Sequence, residues 1–143
     1  MYDTVLVPVD GSDASMAAVS EAVEITGEEG TIHALAVIEK LPMHRRSGKA
    51  EKFERDDTEA HTQAEESASA AAEIIEEANR QCVTTVTKGV PSREIATHAE
   101  EIDADAIVIG KRGVSESAGD ILGSTTERIL KNAPTTVVAV PAS

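Results

Sequence analysis

The chain reads as an α/β fold, a single-domain open parallel sheet of five strands with helices on both faces. Three observations predict it. Short β-branched apolar runs alternate with segments of helical period from one end to the other. One of those runs, Asp105 to Ile109, is almost wholly apolar, as a central strand buried on both sides must be. The length, 143 residues, suits one domain of about 150 residues that buries roughly two-thirds of its unfolded surface.

Each element follows in turn. Tyr2 to Val9 is the first strand, broken by the turn and cap residues Asp10-Gly11-Ser12-Asp13. Ala14 to Thr26 reads as a helix with a broad apolar face, ended by Gly27 and Gly30. Thr31 to Ile38 is the second strand. Glu39 to Arg55 contains Pro42 and Gly48 and no clean period, and it carries six of the 13 Lys and Arg residues against three acids. This basic island reads first as a flexible loop, with a lid or a partner-docking segment as the other reading. From Asp56 to about Arg80 runs a long helix with a small-residue stripe of Ala60, Ala64, Ala68, Ala71, Ile75 and Ala78. Val83 to Lys88 is the third strand, and Gly89-Val90-Pro91 turns the chain into a helix over Ser92 to Ile102. The fourth strand, Asp105 to Ile109, leads into a Gly-rich loop, Gly110 to Leu122. A helix over Ser124 to Asn132 and a fifth strand, Thr135 to Val140, complete the pattern, with Pro141 ending the strand.

Composition narrows the function. A net charge of −13, from 26 acidic and 13 basic residues, repels nucleic-acid phosphates and anionic lipid, so neither is an expected partner. The acids recur along the whole chain as a solvated surface rather than a tail. Self-repulsion of this size is screened within about 3 Å at 1 M salt, which suits a salt-rich cytoplasm of a halophile; an ordinary acidic, soluble protein is the plainer reading. No apolar run reaches the roughly 20 residues of a membrane span, and the N-terminus does not resemble a secretory signal, so a cytoplasmic protein is expected. The single cysteine, Cys82, excludes an internal disulfide and reads as a small core or edge residue. Tyr2 and Phe53 are the only aromatics besides four histidines, so the core must be built from Val, Ile, Leu and Ala.

Ligands of open parallel sheets bind beyond the carboxyl ends of the strands, near the reversal of strand order. Of the segments that follow strands, the richest is Gly110-Lys111-Arg112-Gly113, nine residues, then Gly123-Ser124-Thr125. Glycines permit close backbone approach, and a helix N-terminus with free amides is a ready anion site. Phosphate is the natural occupant, with Lys111 and Arg112 as counter-charge. The same residues also read as a capping box, Ser124 at the N-cap and Glu127 third, which satisfies those amides without a ligand. The two readings are compatible, since a cap uses only part of the first turn.

Gly-x-x-Gly, nine residues, then Gly-Ser resembles the ATP-binding signature of the universal stress protein family. The resemblance spans the chain: Val5-Leu6-Val7-Pro8-Val9-Asp10-Gly11-Ser12 is similar to the family's first strand and following Asp, Ala36-Val37-Ile38 to its second-strand end, Gly89-Val90-Pro91 to its third turn, and Gly123 through Leu130 to the segment closing the signature. It implies a sheet in the order 3-2-1-4-5. It also implies that Asp10 contacts the nucleoside, that the Val37 main chain reads the adenine edge, and that Gly110, Gly113, Gly123, Ser124 and Thr125 surround ribose and phosphates carrying Mg²⁺ or Mn²⁺. The expected nucleotide-binding set is thus Pro8, Val9, Asp10, Val37, Gly89, Ile109, Gly110, Lys111, Arg112, Gly113, Gly123, Ser124 and Thr125, with no catalytic residue. The resemblance further implies a homodimer through the last strand, Thr136 to Val140, an edge that otherwise needs protection. The Lys111-Arg112 pair is more basic than in many relatives; it either strengthens phosphate binding or answers the acidic surface.

Other nucleotide folds fit poorly. Asp10 to Ser15 lacks the G-x-G-x-x-G of dinucleotide enzymes, Gly119 to Ser124 lacks the P-loop lysine, and Lys88 to Pro91 lacks the phospho-acceptor Asp of a response-regulator receiver. His33, His44, His61 and His98 show no metal-ligand spacing. The expected function is therefore an ATP-binding regulatory protein that uses its nucleotide as a conformational or dimer-stabilising switch, and at most a slow ATPase. The alternative is an interaction module of the same fold that binds no nucleotide.

Overall fold

Strands with apolar side chains on both faces need cover on both faces, and the helices supply it. The computed structural model describes residues 1–39, 50–111 and 124–142, apart from the side chains of 50–57 and 124–125. Among these, strand and helix alternate as β1 (Tyr2–Pro8), α1 (Asp13–Ile25), β2 (Thr26–Glu39), α2 (Ala50–Glu77), β3 (Gln81–Gly89), α3 (Pro91–Glu101), β4 (Ala106–Lys111), α4 (Ser124–Asn132) and β5 (Thr136–Pro141). The strands pair in parallel in the order β3-β2-β1-β4-β5, the order the family resemblance implies.

Period-two alternation sorts the core into two layers. Val5, Val7 and Val9, with Ile32, Ala34, Ala36, Ile38 and Val108, face α1 and α2, where Ala18, Val19, Ala22, Ala64, Ala71 and Ile75 meet them. Their neighbours Leu6, Leu35, Ile107 and Ile109 face α3 and α4, meeting Ile95, Ala99 and Ile129. The alanine stripe of α2 lets that helix lie close on the sheet, and fully buried Ile75 contributes about 1.5–3 kcal/mol of transfer free energy. Cys82 sits half-buried on β3, against the α1–α2 layer, as an edge-strand residue.

Several boundaries differ from the sequence reading, each for a physical reason. Gly27 and Gly30 do not end α1. Thr26 does, in extended conformation (φ −91°, ψ 136°), with its backbone N–H and its hydroxyl both donating to Ala22 O, the latter at 2.6 Å. The chain therefore enters β2 at once, and the β1–β2 register slips between the Tyr2 and Thr4 partners. Gly30 is needed there for close approach: a Cβ would stand 2.6 Å from Thr26 Cγ2 and 2.8 Å from Asp3 O. The expected loop over Glu39 to Arg55 is helical from Ala50, because Ala50-Glu51-Lys52 and Glu54-Arg55 are strong helix formers past the last glycine; residues 40–49 lie outside the described residues. At its other end α2 stops before Arg80. Asn79 takes φ 60°, Asn79 N–H donates to Glu76 O (2.9 Å) and Arg80 N–H to Ile75 O (3.2 Å), a Schellman cap on a non-glycine. Asp103 (φ 56°) ends α3 the same way. Asp105 is not in β4 but anchors it: its Oδ2 accepts from Asp3 and Thr4 N–H, both at 3.0 Å.

Gly30→Ala is expected to lower stability by about 1–3 kcal/mol through this overpacking. Gly27→Ala, whose Cβ would meet Tyr2 O at an ordinary 3.7 Å, is expected to be tolerated. Urea denaturation of the two variants measures the difference.

Candidate functional site

The reversal of strand order lies between β1 and β4, since β1 crosses over to β2 and β4 to β5 on opposite sides. The registered β1–β4 ladder is short, Val5 with Ala106 and Leu6 with Ile107. Beyond it, β1 stays tied to β2 alone through Val9 N–H to Leu35 O at 2.8 Å. A cleft of about 200 Å³ opens there, lined by Pro8, Val9, Asp10, Ser12, Ser15, Leu35, Val37, Glu39, Pro91, Ile95, Ile109, Gly110, Thr126 and Ile129.

The cleft has an apolar floor and a polar lip. Leu35, Ile95, Ile109 and Ile129 belong to the α3–α4 core layer, so the floor is the open end of that layer. The lip is the β1–α1 turn. Ser12 caps α1, its hydroxyl accepting from Ser15 N–H at 3.2 Å. Asp10 Oδ1 accepts from Ser12 N–H at 2.9 Å, and Asp10 N–H donates to Ser15 Oγ at 3.3 Å, so the carboxylate is oriented before any ligand arrives. Gly11 permits the turn with φ +83°. Opposite, Thr126 is buried and its hydroxyl donates to Gly110 O at 3.3 Å, tying the first turn of α4 to the end of β4.

Of the sequence-predicted residues, Pro8, Val9, Asp10, Val37, Ile109 and Gly110 meet in this cleft. Gly89 and Lys111 end their strands without lining it. Ser124 and Thr125 open α4, but their side chains lie outside the described residues, as do Arg112, Gly113 and Gly123. α4 begins at Ser124; the side chain on which the expected capping box turns lies outside the described residues. Gly110 has a structural duty of its own: a Cβ there would stand 2.6 Å from Ala14 C and 2.7 Å from Ala14 O.

Sequence reasoning missed Ser15, Leu35, Ile95, Thr126 and Ile129. Ile95 and Ile129 had a signal, as apolar residues in the opening turns of otherwise polar helices. Among the described residues no group of three or more His, Cys, Asp or Glu stands ready to hold a metal. Burial pushes the Cys82 thiol up, and Glu76 adds to it, so it is a poor nucleophile. His61 is exposed and pairs with Glu65 at 2.8 Å; His44 lies outside the described residues.

The model of the family described as "Universal stress protein family" matches residues 1–141. The chain belongs to the universal stress protein family. It is 30% identical to Universal stress protein MJ0531 of Methanocaldococcus jannaschii over 98% of this chain and 82% of that protein. It superposes on the universal stress protein UspA from Lactobacillus plantarum with a TM-score of 0.77 and 27% identity, over 97% of each chain. It superposes on a universal stress protein solved in complex with cAMP with a TM-score of 0.64 and 27% identity, over 99% of this chain and 98% of that one. Among the described residues no helix is long and apolar enough to cross a membrane.

Gly110→Ala is expected to cost about 1–3 kcal/mol in the ligand-free protein, because the methyl must displace α1's first turn. Thermal or urea unfolding without nucleotide checks it.

Proposed function

We propose that this universal stress protein binds an adenine nucleotide in the cleft between β1 and β4, with ATP carrying Mg²⁺ or Mn²⁺ as the working ligand. The carrying observation is the cleft itself: an apolar slot of about 200 Å³, beside a pre-oriented Asp10, at the strand-order reversal. The family supports the reading, since a similarly folded relative is solved with cAMP.

The chemistry divides along the cleft. Val37 and the floor isoleucines give the purine an apolar bed, and the Val37 main chain reads its edge. Asp10 accepts from ribose hydroxyls, a role its Asx turn prepares it for. The phosphates go toward the first turn of α4, where Ser124 and Thr125 supply amides and Gly113, Gly123, Lys111 and Arg112 complete the signature. Mg²⁺ or Mn²⁺ would be carried on the phosphates, as the family resemblance implies. The nucleotide serves as a conformational or dimer-stabilising switch, the dimer forming through Thr136 to Val140 of β5, a half-buried edge strand.

Calorimetric titration with Mg-ATP tests this. Saturable binding near one nucleotide per chain is expected, weakened about tenfold by Asp10→Ala, a charge-assisted hydrogen bond's worth. Gly123→Val is expected to abolish binding while leaving the fold intact. No heat from the folded, nucleotide-free protein, or indifference to Gly123→Val, points instead to an interaction module. Sedimentation with and without Mg-ATP reports whether two chains associate and whether the nucleotide favours it.

A further inference from the structure

Beneath α3, on the sheet face that continues into the cleft floor, two histidines meet. His33 of β2 and His98 of α3 stand with ring centroids 6.3 Å apart and planes at 68°. His33 Nδ1 and His98 Nε2 are buried and have no hydrogen-bond partner among the described residues. Apolar residues with buried side chains are the rule on this face, so two imidazoles here are a departure.

Among the described residues, the surroundings offer a proton no hydrogen-bond compensation at those atoms. On β1, Leu6 stands opposite His33, and on β3, Val83. Along α3 the neighbouring layer residues are Ile95, Ala99 and Ile102. The charged groups of α3 are Arg93, Glu94, Glu100 and Glu101; Glu101, exposed, reaches His98 Nδ1 only at 4.0 Å, on the side away from the unpartnered Nε2. On α4, which packs against α3, Glu127, Arg128 and Lys131 are exposed and Ile129 faces inward. Burial and the neighbouring His98 hold the His33 imidazole below its ordinary titration range.

We propose that the His33–His98 pair is a proton-sensitive strut between β2 and α3: neutral, it holds α3 on the sheet; protonated, it releases α3 and loosens the nucleotide cleft. The connection to the cleft is short. Ile95, which lines it, is one turn before His98 on α3, and Leu35 and Val37 follow His33 on β2. A charge on either ring turns an unpartnered ring nitrogen into a buried N–H without an acceptor, beside a second imidazole. Relief comes from moving the helix outward to admit water. The hinge for that movement is at the start of α3, whose N-cap, Val90, makes no side-chain cap bond.

The sign follows from linkage. A histidine whose folded titration point is depressed binds protons more weakly folded than unfolded. The unfolded chain then holds more protons, and stability rises with pH. The contribution is present above about pH 6.5 and drains away as pH falls from there toward the depressed folded value.

The strut itself stands apart from the ligand, and only its effect on affinity rests on the nucleotide reading above. The test compares the natural chain with His33→Phe and His98→Phe at pH 7.5 and 5.5, by urea unfolding without ligand and by titration with Mg-ATP. Because the phosphates titrate in the same range, the difference between proteins is read. The natural chain is expected to lose about tenfold more Mg-ATP affinity on acidification than either variant, and more of its urea midpoint. Equal pH dependence in all three overturns the proposal. If Mg-ATP fails to bind even at pH 7.5, the nucleotide reading falls, and the urea arm alone still decides the strut. Should a variant not fold, amide exchange in the natural chain decides: protection lost in α3 but kept in α1 at pH 5.5 supports the strut, and equal loss in both overturns it.

Discussion

The whole arrangement depends on one close contact at the strand-order reversal. Gly110 of β4 lies against the first turn of α1 at Ala14, with no room for a Cβ. Val108 shows which way that position faces: it is in the α1–α2 layer, and Gly110 follows it by one strand period. On the other side, the Gly110 carbonyl accepts from Thr126 of α4. A single backbone position thus fixes one helix on each face of the sheet. Both helices begin at the mouth of the cleft, and β4 sets their N-terminal turns relative to each other.

From that junction the cleft inherits its two chemistries. The α3–α4 layer runs out at Leu35, Ile95, Ile109 and Ile129, leaving apolar surface that the sheet does not cover. The β1–α1 turn cannot extend the sheet, because the β1–β4 ladder has ended, and its polar groups close on one another instead. Ser12, Ser15 and Asp10 satisfy three backbone N–H groups among themselves. An apolar slot bordered by a rigid polar turn suits a ligand with a flat apolar end and a hydroxylated middle, which describes a nucleoside.

What the sequence made legible was whatever depends on period and on chain direction. Strand–helix alternation placed the five strands in order, though not the start of β2; the carboxyl-end rule pointed to Asp10, Val37 and Gly110, and the family resemblance added Pro8, Val9 and Ile109. What it hid depends on contacts between distant segments. Gly30 read as a helix stop because glycine commonly is one; its reason is Asp3 and Thr26 pressed against it. Asn79 and Asp103 end helices in the left-handed conformation, which the glycine rule does not find. Asp105 read as a strand residue, yet its carboxylate gathers the N–H groups of Asp3 and Thr4. Ser15 and Thr126 reach the cleft only because their helices are fixed by the Gly110 contact, which no local pattern encodes.

The two ends of the cleft are held unequally, and this decides which wall gives. On the α1 side there is a side-chain cap, an Asx turn and the steric contact at Gly110. On the α3 side the helix starts at Pro91 without a side-chain cap, and three buried polar atoms, on His33, Thr87 and His98, have no partner among the described residues. Each such atom costs about 1–3 kcal/mol of desolvation, so among the described residues the layer under α3 carries a penalty that the layer under α1 does not. Local opening draws on the least stabilised element first. If the proposed strut is released by a proton, α3 is therefore the wall that would move, with α1 as the fixed reference.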